Sequence, residues 1–184
     1  FSNTDCVQKM IDHLVAQGYR RITYLGGDSS ADPRGAMRRR GFIDAMKRHG
    51  LNPDALIGTG PAPVGMAQGT AALEPLLSQY PQTEVAVCVS DLVAFGLLSE
   101  CQRQKIDVPG RLAITGFGNY DLGQVCVPRL TTTDVYAGRI GAAAADLIAR
   151  SGGQSDHHTA ERIDVGAALI LRGSTSVFSS PADR

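Results

Sequence analysis

Val85-Ala86-Val87-Cys88-Val89-Ser90-Asp91-Leu92-Val93-Ala94-Phe95-Gly96 decides the fold class. Its five opening residues are all apolar and three are valine, a run too short for a helix and suited to a strand covered on both faces. Ser90 and Asp91 end the run and are residue types that cap a helix N-terminus. A fully buried strand that runs straight into a helix is the unit of a parallel sheet with helices on both faces.

The unit recurs outward from this stretch. Upstream, Cys6/Val7, Met10/Ile11 and Leu14/Val15 mark a helix over about 4–17 that stops at Gly18, and a strand follows at 21–25. A helix is expected over 37–49, a strand near 55–59 and a helix near 66–79. Downstream, a helix over 92–104 leads to a strand at 112–115. The alternation stops after Gly116: an irregular stretch covers 117–129, then come a β-branched run at 130–133, a helix over 136–150, a loop at 151–155 and an apolar strand or hairpin over 162–172.

Composition bounds the rest. The 184 residues are 43% hydrophobic and 20% charged, enough for one domain or two small ones and unlike a disordered tail or a disulfide-stapled miniprotein. Lys+Arg 18 balance Asp+Glu 18, whereas sequence-independent nucleic-acid binding needs a cationic surplus, so the chain does not read as a DNA-binding module. No apolar run is long enough to span a membrane. Phe1-Ser2-Asn3-Thr4-Asp5 has neither an initiator Met nor a secretion signal, and reads as an internal piece of something longer. Cys6, Cys88, Cys101 and Cys126 match no CxxC or zinc-ligand spacing and suit reduced thiols in a cytoplasmic protein.

Most chemical motifs are missing. No phosphate loop, HExxH, GxSxG or kinase signature occurs. Gly58-Thr59-Gly60-Pro61-Ala62-Pro63 begins like a dinucleotide-binding loop, but Pro63 stands in place of the third glycine and two prolines remove amide donors, so it reads as a strand-to-helix loop. His157-His158 reads as a solvated loop and not a metal site; His13 and His49 are expected on helices without partners. The sequence therefore implies no metal, no cofactor and no enzyme.

Arg34, Arg38, Arg39 and Arg40 carry two readings. Arg40 aligns with Asp44 one turn on, an ordinary solvated face. Arg34 and Arg38 fall where the carboxyl end of a strand would present them to a ligand. Ser90-Asp91 occupies the same position in its own unit, as helix cap and as ligand-facing pair.

Three segments resemble, in order and spacing, the LacI/GalR family of bacterial transcription regulators. They are Val89 to Gly96 above, Val108-Pro109-Gly110-Arg111-Leu112-Ala113-Ile114-Thr115-Gly116-Phe117-Gly118-Asn119, and Val127-Pro128-Arg129-Leu130-Thr131-Thr132. His13-Leu14-Val15-Ala16-Gln17-Gly18-Tyr19-Arg20-Arg21-Ile22 is similar to that family's helix-to-strand signature, and Arg38-Arg39-Arg40-Gly41-Phe42 to its Arg-x-x-Gly-Phe. The resemblance implies a periplasmic-binding-protein-like (type I) α/β core whose two lobes hold a small effector between them, preceded by a helix-turn-helix domain. Residues 1–128 then correspond to the C-terminal lobe, 129–153 to the crossover and a helix of the N-terminal lobe, 154–178 to the returning strand or strands, and 179–184 to a frayed tail. The DNA-binding domain lies outside the chain, so contact with operator DNA runs only through it.

Residue by residue, the resemblance makes Arg38 the effector arginine, with Arg34, Ser90, Asp91, Gly118, Asn119 and Val64 around the same site. Gly118 replaces a usual acidic contact and Val64 a usual aromatic ring. The first change eases the entry of an anion and the second removes a stacking platform. Both fit an open-chain sugar acid, and the Gly-Phe-Gly-Asn pattern is most similar to gluconate-operon repressors. A homodimer is implied, with Phe95, Leu98, Cys126 and Val127 at its interface, although core burial is the other reading of Phe95 and Leu98. The alternative is a periplasmic-type sugar-binding transport protein, which shares the two-lobed fold.

Overall fold

A computed structural model of the chain describes residues 1–27, 32–151 and 161–176, so His157-His158 and the tail lie outside the described residues. Four parallel strands form the main sheet: β1 (Ile22–Gly26), β2 (Leu56–Gly58), β3 (Val85–Cys88) and β4 (Ala113–Thr115). Their order is β2-β1-β3-β4, with Tyr24 of β1 facing Leu56 and Val87, and Val85 facing Ala113. Every residue of β1, β3 and β4 is buried, as continuous apolar runs require.

Helices α1 (Asn3–Ala16), α2 (Pro33–Arg48), α3 (Met66–Ala71), α4 (Leu73–Gln79) and α5 (Asp91–Arg103) flank the sheet. α1 packs on α2 and α3 on α5. Ile11, Leu14, Leu25, Phe42, Leu97 and Ile114 are fully buried between these layers.

Four expectations are corrected. The helix near 66–79 is two short helices meeting at Ala72, where Pro75 has no N–H to give the Ala71 carbonyl. α2 begins at Pro33, four residues before its expected start, because Asp32 caps it and proline suits the first helical position. Within 117–129 a five-residue helix, α6 (Asp121–Val125), forms, too short to show periodicity. His49 does have a partner: its Nε2 lies 2.6 Å from Asp12 Oδ1.

Beyond β4 the chain leaves the main sheet. Thr131 makes one parallel bridge to Thr115, and β5 (Thr132–Asp134) then pairs antiparallel with β6 (Ala168–Ile170). Only these three residues of the expected 162–172 element form a strand, since Asp164 accepts from the Gly166 amide at 2.8 Å and Gly166 turns the chain at a φ of +75°. Between β5 and β6 runs α7 (Ala137–Ser151).

Candidate functional site

The carboxyl ends of the main-sheet strands open on a cavity of about 420 Å³ lined by Asp32, Arg34, Arg38, Ala62, Pro63, Val64, Val89, Ser90, Leu92 and Tyr120. This is the edge at which open α/β sheets bind ligands. Four of the seven expected ligand residues, Arg34, Arg38, Val64 and Ser90, are brought together there.

The Asp32 cap sets the cationic wall. Its Oδ1 accepts from the Gly35 amide at 3.0 Å, fixing the start of α2 and placing Arg34 and Arg38 one turn apart on one helix face. Arg38 is held on three sides. Its Nε donates to Asn3 Oδ1 and its Nη1 to the Val89 carbonyl, each at 2.8 Å, and its guanidinium lies 3.8 Å from the Phe117 ring centroid. Nη2 has no hydrogen-bond partner among the described residues. Nη2 is therefore free to donate to a carboxylate or hydroxyl oxygen, beside the second N–H of Nη1. Burial lowers the Arg38 pKa from its ordinary value, opposed by Tyr24 and Asp32, but a guanidinium stays charged at neutral pH.

Ser90 caps α5, its Oγ accepting from the Val93 amide at 3.4 Å, and it also lines the cavity. The cap and ligand-facing readings of Ser90 are compatible.

Asp91 lies outside the cavity lining, as a buried strut. Its side chain is fully buried, with Oδ1 accepting the Thr132 hydroxyl at 2.6 Å and Oδ2 the Tyr120 amide at 2.7 Å. Burial raises its pKa above the ordinary carboxylate value, against the pull of those donors. Asn119 lies outside the cavity lining. Its Oδ1 accepts from Arg172 Nη2 at 2.7 Å and its Nδ2 donates to Asp134 Oδ2 at 3.0 Å, so its amide ties the crossover strands together.

Gly118 adopts a φ of +126°, where a side chain is strained, and a Cβ there would sit 2.8 Å from the Tyr120 ring. Tyr120, 47% exposed, gives the cavity an aromatic ring, and Asp32 gives it a carboxylate. Sequence reasoning missed both. Asp32-Pro33 carried a legible signal as cap and first helical residue; Tyr120 carried none.

Of the four expected interface residues, Leu98 is 1% exposed and packs in the core, the other reading given for it. Phe95 and Cys126 are half-buried against the core, and Val127 is 76% exposed beside the equally open Val125. Among the described residues no three His, Cys, Asp or Glu side chains are grouped to hold a metal ion, and no helix is long and apolar enough to cross a membrane.

Residues 11–175 match the family described as periplasmic binding protein-like domain. The chain belongs to that family. Within it, the HTH-type transcriptional regulator GntR of Escherichia coli (strain K12) is 33% identical over 175 residues, which are 95% of this chain and 51% of the regulator. The chain spans about half the length of the curated relatives it matches. A solved LacI family transcriptional regulator from Silicibacter pomeroyi superposes with a TM-score of 0.87 at 37% identity, covering 95% of this chain and 62% of that one. The transcription regulator GntR from Chromobacterium violaceum gives a TM-score of 0.84 at 31% identity, covering 95% and 64%. These periplasmic binding protein-like relatives are transcription regulators by name, and the expected sheet-and-helix class is the one observed.

Proposed function

We propose that the chain is the effector-sensing, dimerising part of a LacI-type transcriptional repressor, cytoplasmic and non-enzymatic, that binds a small sugar acid such as gluconate. The single observation that carries the acid is Arg38, whose half-buried guanidinium keeps Nη2 without a partner among the described residues at a cavity also lined by Arg34. Asp32 offers a carboxylate oxygen to ligand hydroxyls, so one wall suits an acid group and another suits a polyol. In this reading residues 1–128 form the C-terminal lobe, 129–153 cross to the N-terminal lobe and 154–178 return.

Effector held between lobes would bias their relative angle, and with it the spacing of paired DNA-reading domains, by binding one arrangement more tightly than the other. Val125 and Val127, exposed next to the half-buried Cys126, form the patch that this reading assigns to the dimer.

The Tyr120 ring favours a second reading, a neutral ring sugar stacked on the aromatic face. Calorimetry on the protein as its gene encodes it separates the two. Gluconate binding with indifference to neutral pyranoses supports the sugar acid; the reverse preference overturns it.

A further inference from the structure

We propose that Asn119 is a positioning residue that carries effector binding out of the cavity: its side-chain amide links the wall residue Tyr120 to β5, β6 and the start of α7. This rests on the sugar-acid reading above and adds to it a residue outside the cavity lining.

Tyr120 lines the cavity and follows Asn119 directly. The backbone of 118–120 has little freedom to absorb a displacement. Gly118 and Asn119 both adopt positive φ, +126° and +54°, the second in the left-handed region that asparagine tolerates. The Gly118 amide donates to the Thr133 carbonyl at 2.8 Å, and the Tyr120 amide to Asp91 Oδ2 at 2.7 Å. A shift of Tyr120 therefore moves Asn119 with it.

The Asn119 amide sits between opposite charges. Its Oδ1 accepts from Arg172 Nη2 at 2.7 Å, and its Nδ2 donates to Asp134 Oδ2 at 3.0 Å. Arg172 stands just past β6 and donates through Nη1 to the Leu130 carbonyl at 2.9 Å, just ahead of β5. Asp134 ends β5, and its Oδ1 accepts from the Tyr136 amide at 2.8 Å, one residue before α7. One amide thus reaches both strands of the small sheet and, through a shared carboxylate, the start of the helix between them. The place needs an acceptor toward the guanidinium and a donor toward the carboxylate, which an amide supplies and a second carboxylate does not. A ligand that fixes Tyr120 therefore restrains the two strands that, in the reading above, join the lobes.

Asn119→Asp in the protein as its gene encodes it keeps the acceptor for Arg172 and turns an oxygen toward Asp134. Calorimetry is expected to find gluconate binding within about fivefold of wild type. A larger fall overturns the proposal, because Asn119 then acts on the cavity itself. Hydrogen exchange is the second readout: gluconate is expected to slow the amides of β5, β6 and Tyr136 in the wild type and not in the variant. Equal slowing in both overturns the proposal, as does no slowing in a wild type that binds gluconate, and both results leave the sugar-acid reading intact. Combining Asn119→Asp with Asp134→Asn reverses donor and acceptor across the same contact and is expected to restore the slowing; binding without slowing in this double variant overturns the proposal. Asn119→Ala, which loses both contacts without adding a charge, has the same expected outcome as the single variant and replaces it where the added charge prevents folding. Failure of the wild type to bind gluconate overturns the sugar-acid reading, and this proposal with it.

Discussion

Asp91 and Thr132 are joined by a 2.6 Å hydrogen bond in the protein interior, from the Thr132 hydroxyl to Asp91 Oδ1. The bond spans 41 residues of sequence and ties the N-terminus of α5 to β5, where the chain leaves the main sheet. The other Asp91 oxygen holds the Tyr120 amide. One carboxylate thus locks together a helix start, a wall of the cavity and the crossover.

Thr132→Val keeps the shape of the side chain and removes the donor, leaving a buried carboxylate oxygen short of a partner. Stability is expected to fall by about 2 kcal/mol, read as a lower urea midpoint with an unchanged slope. A change below about 0.5 kcal/mol would mean that Asp91 is neutral or otherwise satisfied.

Arg38→Lys keeps the charge but loses the unpartnered Nη2 and the guanidinium contact with the Phe117 ring. Gluconate affinity is expected to drop at least about tenfold, equivalent to about 1.4 kcal/mol. Arg40→Lys, in a pair with Asp44 on the solvated face, serves as the control and should leave affinity unchanged. Equal losses in both variants would point to general charge in place of the Arg38 geometry.

The sheet, the helices that cover it and the Arg38 position were legible because each rests on local signals. Five apolar residues before Ser90-Asp91 declare a strand and a cap, and Arg38 stands three positions before Gly41-Phe42. Asp91 and Asn119 are hard to place from sequence because capping and ligand contact demand the same residue types; only tertiary neighbours show their hydrogen bonds. Thr132 reaches Asp91 from 41 residues away and Arg172 reaches Asn119 from 53, distances over which sequence spacing carries no information. Leu98 was ambiguous for a similar reason, since an apolar residue on a helix suits a core or an interface equally well.

Gly96→Ala tests a close approach that no local pattern announces. A Cβ on Gly96 would lie 2.0 Å from the Met66 carbonyl oxygen, and one on Gly69 2.1 Å from that of Val93, so α3 and α5 touch backbone to backbone at both glycines. Backbone cannot swing aside as a side chain can. Gly96→Ala is expected to cost about 3 kcal/mol, the upper end of overpacking effects. Gly141→Ala in α7, with nothing within 4 Å, should instead gain about 0.5–1 kcal/mol from helix propensity. Thermal unfolding of the two variants should thus move in opposite directions, and a shift of the same sign would refute the packing account.

Glu84→Gln addresses the opposite edge of the sheet, where Glu84 Oε2 accepts from the Arg20 and Arg21 amides at 2.8 and 2.9 Å and Oε1 pairs with the Arg21 guanidinium. Burial raises its pKa, but the Arg21 and Arg20 amides and the Arg21 charge outweigh that and hold it below the ordinary glutamate value. A depressed folded-state pKa means that the unfolded chain takes up a proton first as pH falls. The stabilisation is therefore complete above the unfolded value of about 4.3 and fades as pH drops through the lower folded value. Because the site is partly exposed, screening limits the contribution to about 1 kcal/mol. Wild type should exceed Glu84→Gln in stability by that amount at neutral pH, and the gap should close on acidification, as followed by urea unfolding across pH. A gap that stays constant down to strongly acidic pH would assign the loss to altered hydrogen-bond geometry and not to the carboxylate charge.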